Sequence, residues 1–255
     1  MSTRFGDVSL TREGAVGLVV IHRPPNNFFD LALIGEIAEA LETVDGEPTL
    51  RAAVLASDGK AFCAGASFTG DESGSADPGR LYREALRLFR TRKPLVGAIH
   101  GPAIGGGLGL ALVPDFRVVS PDARFAANFV KIGIHPGFGL THTLPRLVGQ
   151  RTAADLFLTG RRINGEEALR IGLADRLVPA KDVRAGALAY AAEIAENAPL
   201  ALIATRATLR EGLADAVERQ TAIESGEQIA LFATQDFREG VKAVSERRQG
   251  NWTAS

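Results

Sequence analysis

Two short segments carry residues small enough to leave their backbone N–H groups open to a ligand. The first runs from Lys60 to Ala66 (Lys-Ala-Phe-Cys-Ala-Gly-Ala) and follows a run typical of a β-strand. The second runs from Ile104 to Gly109 (Ile-Gly-Gly-Gly-Leu-Gly) and begins an apolar helix. Glycine and alanine allow close approach to the main chain, and the first N–H groups of a helix have no partner inside it. Together the two segments predict a pair of N–H donors for a developing oxyanion.

The composition of the chain limits which other chemistry is available. It has 255 residues, a formal net charge of −1, and 45% hydrophobic and 23% charged residues, which is typical of a globular protein with one large domain or a core plus an appendage. A charge so close to zero favours neither nucleic acid nor membrane as a partner. The single cysteine, Cys63, excludes an internal disulfide and offers no metal cluster. We expect it to be a small buried hydrophobe.

Targeting signals are absent from the sequence pattern. No apolar run approaches the ~20 residues that a membrane-spanning helix needs, so no membrane insertion is expected. The N-terminal residues lack the apolar core of a secretory signal. We therefore expect a cytoplasmic enzyme or binding protein.

Strand and helix patterns alternate over the first part of the chain, which predicts an α/β domain of repeated strand–strand–helix units. Runs rich in β-branched and apolar residues predict strands at residues 16–22, 52–56, 95–99 and 116–120. Asp30 is placed to cap the helix that follows it. Asn164 and Glu167 resemble a capping box, and Gly172 has the position of a glycine just beyond a helix C-terminus.

The strand pattern stops near residue 199. Residues 199–249 carry helical spacing almost throughout, with predicted breaks at Gly212 and Gly240. We therefore divide the chain into an α/β core at 1–198, which holds the ligand site, and a helical region at 199–255. Polar residues with little hydrophobicity at 69–79 predict a mobile flap just after the first oxyanion segment.

Four blocks of sequence occur in order, at residues 59–66, 93–107, 133–149 and 159–178. The first reads Gly-Lys-Ala-Phe-Cys-Ala-Gly-Ala, and the second ends in Gly-Pro-Ala-Ile-Gly-Gly-Gly. These blocks resemble the signatures of the crotonase superfamily, also called the enoyl-CoA hydratase/isomerase family. The likeness runs from about residue 8 to residue 248, whereas one glycine-rich loop alone would be weak evidence.

The resemblance implies an α/β fold that is a crotonase-like spiral of ββα units, with a C-terminal helical region used in trimerisation. The expected assembly is a homotrimer or a dimer of trimers. The implied ligand is an acyl-CoA thioester, so coenzyme A arrives as part of the substrate and no tightly bound cofactor or metal is expected. The thioester carbonyl of the family lies between two backbone N–H groups, which map onto Ala66 and Gly106 in this sequence.

The sequence departs from the family at two catalytic positions. Family hydratases carry one glutamate three residues after the middle glycine of the second signature, and that position is Gly109 here. They carry another four residues before the glycine of the third signature, and that position is Phe129. Paired carboxylates supply the base and the acid that hydration of a 2-enoyl thioester needs, each worth roughly 10²–10⁴-fold. We therefore expect weak or no hydratase activity, no double-bond shift through Phe129, and room at Gly109 for a bulky acyl group or a water.

Other residues are candidates for the missing proton-transfer role. His135 is close to the expected acyl pocket, and a histidine can serve as a general acid or base; the alternative is a histidine hydrogen-bonded beside a turn. Asp71 and Glu72 lie in the predicted flap, with a solvated loop as the alternative. Gly137 occupies the place where some family hydrolases and dehalogenases carry an aspartate nucleophile, so the covalent route finds no nucleophile here.

Residues 22–27 resemble the family segment that lies along the pantetheine. Arg23 and Lys60 are candidates for phosphate contacts, with a surface ion pair as the alternative for each. The predicted substrate-binding residues are Arg23, Pro25, Asn27, Lys60, Ala64, Gly65, Ala66, Ser67, Phe68, Ile104, Gly105, Gly106, Gly109, Phe129, Pro136 and Gly137.

The sequence thus predicts an acyl-CoA thioester-binding protein that stabilises a thioester enolate through Ala66 and Gly106. An ordered water or His135 would then handle the proton. Two alternatives stay open. One is a non-catalytic acyl-CoA carrier or sensor. The other is a different crotonase reaction that uses His135, such as decarboxylation, C–C cleavage or thioester hydrolysis.

Overall fold

Two β-sheets form the framework of residues 2–66 and 78–255, the part of the chain that the computed structural model describes. The strands of the larger sheet are β1 (Ser2–Phe5), β2 (Val8–Glu13), β3 (Val16–Ile21), β4 (Ala52–Ser57), β5 (Leu95–Ile99), β7 (Phe116–Val119) and β10 (Arg176–Leu177). Those of the smaller sheet are β6 (Pro102–Ile104), β8 (Arg124–Ala126) and β9 (Arg162–Asn164).

The larger sheet has the spatial order β1-β2-β3-β4-β5-β7-β10. Its first three strands are antiparallel, and β3, β4, β5, β7 and β10 are parallel to one another. The four predicted strands are β3, β4, β5 and β7, with ends that agree within one residue. They read as continuous apolar runs because helices cover both faces of the parallel part of the sheet.

Helices connect and cover these strands. They are α1 (Leu31–Gly46), α2 (Pro78–Phe89), α3 (Gly106–Ala111), α4 (Leu140–Val148), α5 (Gln150–Thr159), α6 (Gly165–Arg170), α7 (Val183–Ala195), α8 (Pro199–Leu209), α9 (Leu213–Phe232) and α10 (Gln235–Ser245). Short 3₁₀ helices span Asn128–Ile132 and Ala180–Asp182. One face of the sheet packs mainly on α7, and the opposite face packs on the larger core that includes α1 and α2. None of the described helices is long and apolar enough to cross a bilayer.

The predicted helix caps are confirmed. The Asp30 carboxylate accepts a hydrogen bond from the Leu33 N–H, 2.8 Å away, at the start of α1. Asn164 Oδ1 accepts from the Glu167 N–H at 2.8 Å, which is the forward half of the predicted capping box. Gly172 follows the end of α6 with φ +79°, the left-handed conformation that ends many helices.

The predicted breaks in the helical tail have different outcomes. Gly212 lies between α8 and α9 with φ +70°, as expected. The break at Gly240 is wrong, because α10 continues through it. A Cβ on Gly240 would lie 2.5 Å from the backbone carbon of Ile132, so this glycine is needed for close packing of two backbones.

Most of the predicted flap lies outside the described residues. Residues 69–77 are among those that the structure does not describe, as are Ser67 and Phe68 of the predicted site. The last two residues of the predicted flap begin α2 instead of continuing a loop. Pro78 is the first residue of that helix, where its fixed φ is favourable and its missing N–H costs nothing.

Candidate active site

The two small-residue segments lie side by side. The Cys63 N–H donates to the Pro102 carbonyl at 3.1 Å, and the Ile104 N–H donates to the Cys63 carbonyl at 3.0 Å. On the other side of the first segment, the Phe29 N–H donates to the Gly65 carbonyl at 3.0 Å. A Cβ on Gly107 would lie only 2.0 Å from the Cys63 oxygen, so the approach of the two segments requires glycine there. Cys63 is fully buried, and burial raises the pKa of its thiol to about 12.

The N–H groups of Ala66 and Gly106 have no acceptor elsewhere in residues 2–66 and 78–255. Gly106 is the first residue of α3, so its N–H has no partner within the helix. Gly105 precedes it with φ +57°, a conformation that suits glycine. Both residues line the same cavity. Ala66 and Gly106 thus line one cavity, and neither N–H is used by another described residue.

The cavity beside these donors has a volume of about 350 Å³, a usual size for a small-molecule site. Its wall is mainly apolar and rich in aromatic rings, which belong to Phe28, Phe29, Phe129, Phe138 and Phe232. The predicted site residues on this wall are Ala64, Gly65, Ala66, Ile104, Gly105, Gly106, Phe129 and Gly137. Such a wall suits an apolar ligand group.

The polar side chains on the described part of the wall are those of Tyr82, Asn128, Arg162 and Gln228. Neither a carboxylate nor an imidazole from the described residues lines the cavity. No other acidic side chain from the described residues therefore takes the place of the two missing family glutamates on this wall. Asp71 and Glu72, the predicted candidates of the flap, lie outside the described residues.

Comparison with known proteins identifies the family of this chain. The family model described as enoyl-CoA hydratase/isomerase matches residues 11–255. The chain belongs to the enoyl-CoA hydratase/isomerase family.

Its relatives cover nearly the whole chain. A crotonyl-CoA hydratase of Syntrophomonas wolfei is 33% identical over an alignment of 255 residues, and the alignment covers 97% of this chain and 98% of that protein. A carnitinyl-CoA dehydratase of Proteus mirabilis is 31% identical and covers 95% of this chain and 97% of its own length. The crystal structure of an enoyl-CoA hydratase/isomerase from Pseudoalteromonas atlantica superposes with a TM-score of 0.85 at 28% identity, over 97% of this chain and 100% of that one. The predicted crotonase-like fold is confirmed.

In this enoyl-CoA hydratase/isomerase family member, packing fills the place of the first family glutamate. A Cβ on Gly109 would lie 2.6 Å from the Cβ of Phe138. The expectation that Gly109 clears room for an acyl group or a water is therefore wrong, since Phe138 takes that space. Gly109 itself is not on the cavity wall, whereas Phe129 is, and its ring is 6% exposed.

The structure places His135 behind the cavity wall. Its Nδ1 donates to the carbonyl of its neighbour Pro136 at 2.7 Å, and neither residue lines the cavity. This is the hydrogen-bonded turn histidine that the sequence left open as an alternative. The role of His135 in proton transfer stays a prediction.

The segment predicted to lie along the pantetheine is held by bonds within the protein. Arg23 forms ion pairs with Asp7 at 2.5 Å and Asp30 at 2.7 Å, which is the alternative that the sequence left open for this arginine. Lys60 is exposed. Neither cation lines the cavity, so their phosphate contacts remain predictions.

Asn27 and Pro25 form hydrogen bonds with the first small-residue segment and with the residue Asp58 before it. Asn27 is fully buried, and its Nδ2 donates to the carbonyls of Asp58 and Ala61 at 2.6 and 2.8 Å. The Pro25 carbonyl accepts from the Lys60 N–H at 2.9 Å. Both residues therefore position residues 60–66, although neither is on the cavity wall.

Three polar residues of the wall, Tyr82, Arg162 and Gln228, were not predicted from the sequence. The Tyr82 hydroxyl donates to Gln228 Oε1 at 2.6 Å, and Gln228 Nε2 donates to the His135 carbonyl at 2.9 Å. Burial raises the pKa of Tyr82, so its hydroxyl stays protonated. Tyr82 is a polar residue inside the apolar stripe of α2, and this was the signal that the sequence offered. Its partner Gln228 is 146 residues away in the sequence, so the pair was not predicted.

Proposed function

We propose that this family member binds an acyl-CoA thioester and polarises its carbonyl through the N–H groups of Ala66 and Gly106. The observation that carries the proposal is that both donors lie on an apolar cavity wall and bond to no other described residue. A thioester oxygen there accepts both hydrogen bonds, and the bonds strengthen as negative charge develops on it. Each such donor is typically worth about 3–4 kcal/mol of transition-state stabilisation.

An enolate is the intermediate that this arrangement favours, because the negative charge of an enolate rests on the thioester oxygen. Hydration in addition needs a base for water and an acid for the α-carbon. Phe129 supplies neither, and the place of the other glutamate is filled by Phe138. We therefore infer that hydration and double-bond isomerisation of short enoyl-CoAs are weak or absent, although relatives carry the name hydratase.

The same cavity wall supports a second candidate, a non-catalytic acyl-CoA carrier or sensor. Binding needs the apolar wall and the two donors but no titrating group. The other crotonase reactions that use His135 stay open as well. Among them, decarboxylation forms an enolate by loss of CO₂ and so needs no base for that step.

The assembly and location that accompany this function are proposals too. We propose a homotrimer or a dimer of trimers in the cytoplasm, with coenzyme A entering only as part of the substrate. Exposed apolar side chains on the helical tail support self-association; they belong to Leu200, Leu209, Ile223 and Ile229.

A spectrophotometric assay with crotonyl-CoA and longer 2-enoyl-CoAs tests the proposed function. The expected result is binding of the thioester in a calorimeter, with loss of the enoyl absorbance at least 10²-fold slower than the ~10 s⁻¹ of a median enzyme. Turnover near that median value would contradict the inference of weak hydration. In that case the double variant Asp71→Asn/Glu72→Gln shows whether the acid comes from the residues of the predicted flap. Absence of thioester binding would contradict the proposed function as a whole.

A further inference from the structure

A buried tyrosine–glutamine pair interrupts an otherwise apolar part of the cavity. Tyr82 of α2 is 9% exposed and Gln228 of α9 is 3% exposed, and both line the cavity. The Tyr82 hydroxyl donates to Gln228 Oε1 at 2.6 Å, and Gln228 Nε2 donates to the His135 carbonyl at 2.9 Å. The orientation of the amide is thus fixed from both ends, since its oxygen faces the tyrosine and its nitrogen faces the carbonyl.

A series of contacts leads from Gly106 to this pair. A Cβ on Gly106 would lie 2.5 Å from Phe29 Cζ, so the Phe29 ring borders that donor. The centroids of the Phe29 and Phe138 rings are 5.5 Å apart. Phe138 directly follows Gly137, where an added Cβ would lie 1.9 Å from the Tyr82 hydroxyl oxygen. The contacts thus lead from Gly106 through the rings of Phe29 and Phe138 to Gly137 beside Tyr82. We infer from this order that the pair lies along the acyl chain, beyond the thioester carbonyl.

The pair retains unused hydrogen-bonding capacity. Gln228 Nε2 has two hydrogens and uses one for the His135 carbonyl. The Tyr82 oxygen has two lone pairs, and even with the Phe138 N–H directed at it one lone pair remains. Buried polar groups normally use this capacity, because an unmade hydrogen bond in an apolar site is unfavourable. The available donor and acceptor match a hydroxyl group, which both donates and accepts.

We propose that the acyl group of the bound thioester carries a hydroxyl in its distal half, which donates to the Tyr82 oxygen and accepts from Gln228 Nε2. This inference rests on the proposed acyl-CoA binding and adds the class of the acyl group. A site built around a substrate hydroxyl rejects analogues that lack it, because their binding leaves buried polar groups unpaired. Burial raises the pKa of Tyr82, so both members of the pair are uncharged and match a neutral hydroxyl.

Calorimetric titration with matched thioesters tests this proposal. The ligands are octanoyl-CoA and its 3-, 5- and 7-hydroxy derivatives, and the proteins are the wild type, Tyr82→Phe and Tyr190→Phe. Tyr190 is the matched control because it is the other of the two tyrosines in the chain. Tyr190 packs on Phe116 on the face of the larger sheet that α7 covers, whereas Tyr82 belongs to the core on the other face.

The expected result is that the 5- or 7-hydroxy derivative binds the wild type about tenfold more tightly than octanoyl-CoA, the effect of one to two net hydrogen bonds. Tyr82→Phe brings this ratio to within about twofold. Tyr190→Phe keeps the wild-type ratio. Gln228→Leu, which removes the other partner, loses the preference as Tyr82→Phe does.

The contradicting results separate the two proposals. Equal binding of all four thioesters, a preference for the 3-hydroxy derivative alone, or equal weakening of all four by Tyr82→Phe would overturn the distal hydroxyl and leave acyl-CoA binding intact. If none of the four binds more tightly than free coenzyme A, the proposed function itself fails.

Discussion

The side chain of Phe138 lies where any residue larger than glycine at position 109 would place its first carbon. At the residue scale, the family glutamate at position 109 is therefore not only missing: its space is also filled by Phe138. Phe138 has φ +64°, an unusual conformation for a large residue, and its ring packs on Phe29. Restoring a carboxylate at 109 would therefore require Phe138 to move, and Gly109→Glu alone is not expected to create a hydratase.

A pair of glycine-to-alanine variants tests this packing. Gly109→Ala in α3 destabilises the protein by about 1–3 kcal/mol, because the added methyl overpacks the contact with Phe138. Gly226→Ala in α9 is the control, since nothing lies within 4 Å of an added Cβ there. It stabilises by up to about 1 kcal/mol through helix propensity. Urea denaturation measures both free energies of unfolding, and equal effects of the two variants would contradict the packing at Gly109.

At the scale of elements, α9 fixes the loop that carries Gly137 and Phe138. Glu224 of α9 is fully buried and accepts from the Gly139 N–H at 2.7 Å and the Thr141 N–H at 2.9 Å. Gly139 is the N-cap residue of α4 and Thr141 lies in its first turn, so Glu224 caps α4 from another helix. The same helix carries Gln228, and one element thereby positions both the loop and the polar pair of the cavity.

Removal of this cap is expected to destabilise the fold. Glu224→Ala leaves two buried N–H groups without an acceptor, which costs about 1–3 kcal/mol, whereas Glu224→Gln keeps one carbonyl acceptor and loses less. The exposed Glu227→Ala on the same helix is the control, expected within about 0.5 kcal/mol of wild type. Comparable losses for Glu224→Ala and Glu227→Ala in thermal or urea unfolding would show that Glu224 does not cap α4.

The pH dependence of stability gives a second readout of Glu224. Burial raises the pKa of this carboxyl above its usual 4.5, an effect only partly offset by its hydrogen bonds to Thr141 and Gly139. The folded state then binds the proton more tightly than the unfolded state. The resulting stabilisation is complete below the unfolded pKa and is lost as the pH rises through the folded pKa. Glu224→Gln should therefore show a flatter decline in stability above pH 4.5 than the wild type does.

Local signals explain which elements could be predicted from the sequence. The strands β3, β4, β5 and β7 and the caps at Asp30 and Asn164 depend on residues close together in the chain. The conformation of Gly212 is local as well. The helix break predicted at Gly240 was wrong because this glycine allows close packing against the backbone of Ile132, which is more than a hundred residues away in sequence. A glycine needed for close packing has the same appearance in the sequence as a glycine that ends a helix.

The candidate site was predictable where backbone donors and small residues form it, and less so where side chains meet. Ala66 and Gly106 are identified by their neighbours in the sequence. The filling of the space at Gly109 by Phe138 and the contact of Tyr82 with Gln228 are tertiary contacts. No local pattern encodes them, so neither was predicted.

At the scale of the whole molecule, the helical tail carries the apolar surface expected of a subunit interface. Leu200 and Leu209 are 80% and 69% exposed on α8. We expect the protein to sediment at three or six times the 27.0 kDa mass of one chain. Leu209→Glu should shift it towards smaller species, because a charge at a buried interface is unfavourable.

Ala32→Glu, an exposed apolar-to-acidic change on α1, is the control for this variant and should keep the wild-type mass. Analytical ultracentrifugation compares the three proteins. A monomeric wild type, or equal masses for all three at every concentration, would contradict a subunit interface at Leu209.

The polarisation of the thioester carbonyl by Ala66 and Gly106 is the central claim, and isotope-edited infrared spectroscopy measures it directly. The ligand is octanoyl-CoA with ¹³C at the thioester carbonyl, and the spectra of free and saturated bound ligand are compared. Two hydrogen bonds from backbone N–H groups weaken the C=O bond, so the account predicts a bound carbonyl band at clearly lower frequency than in water. A band at the same or higher frequency, with binding confirmed by calorimetry, would show that the carbonyl does not lie between these donors.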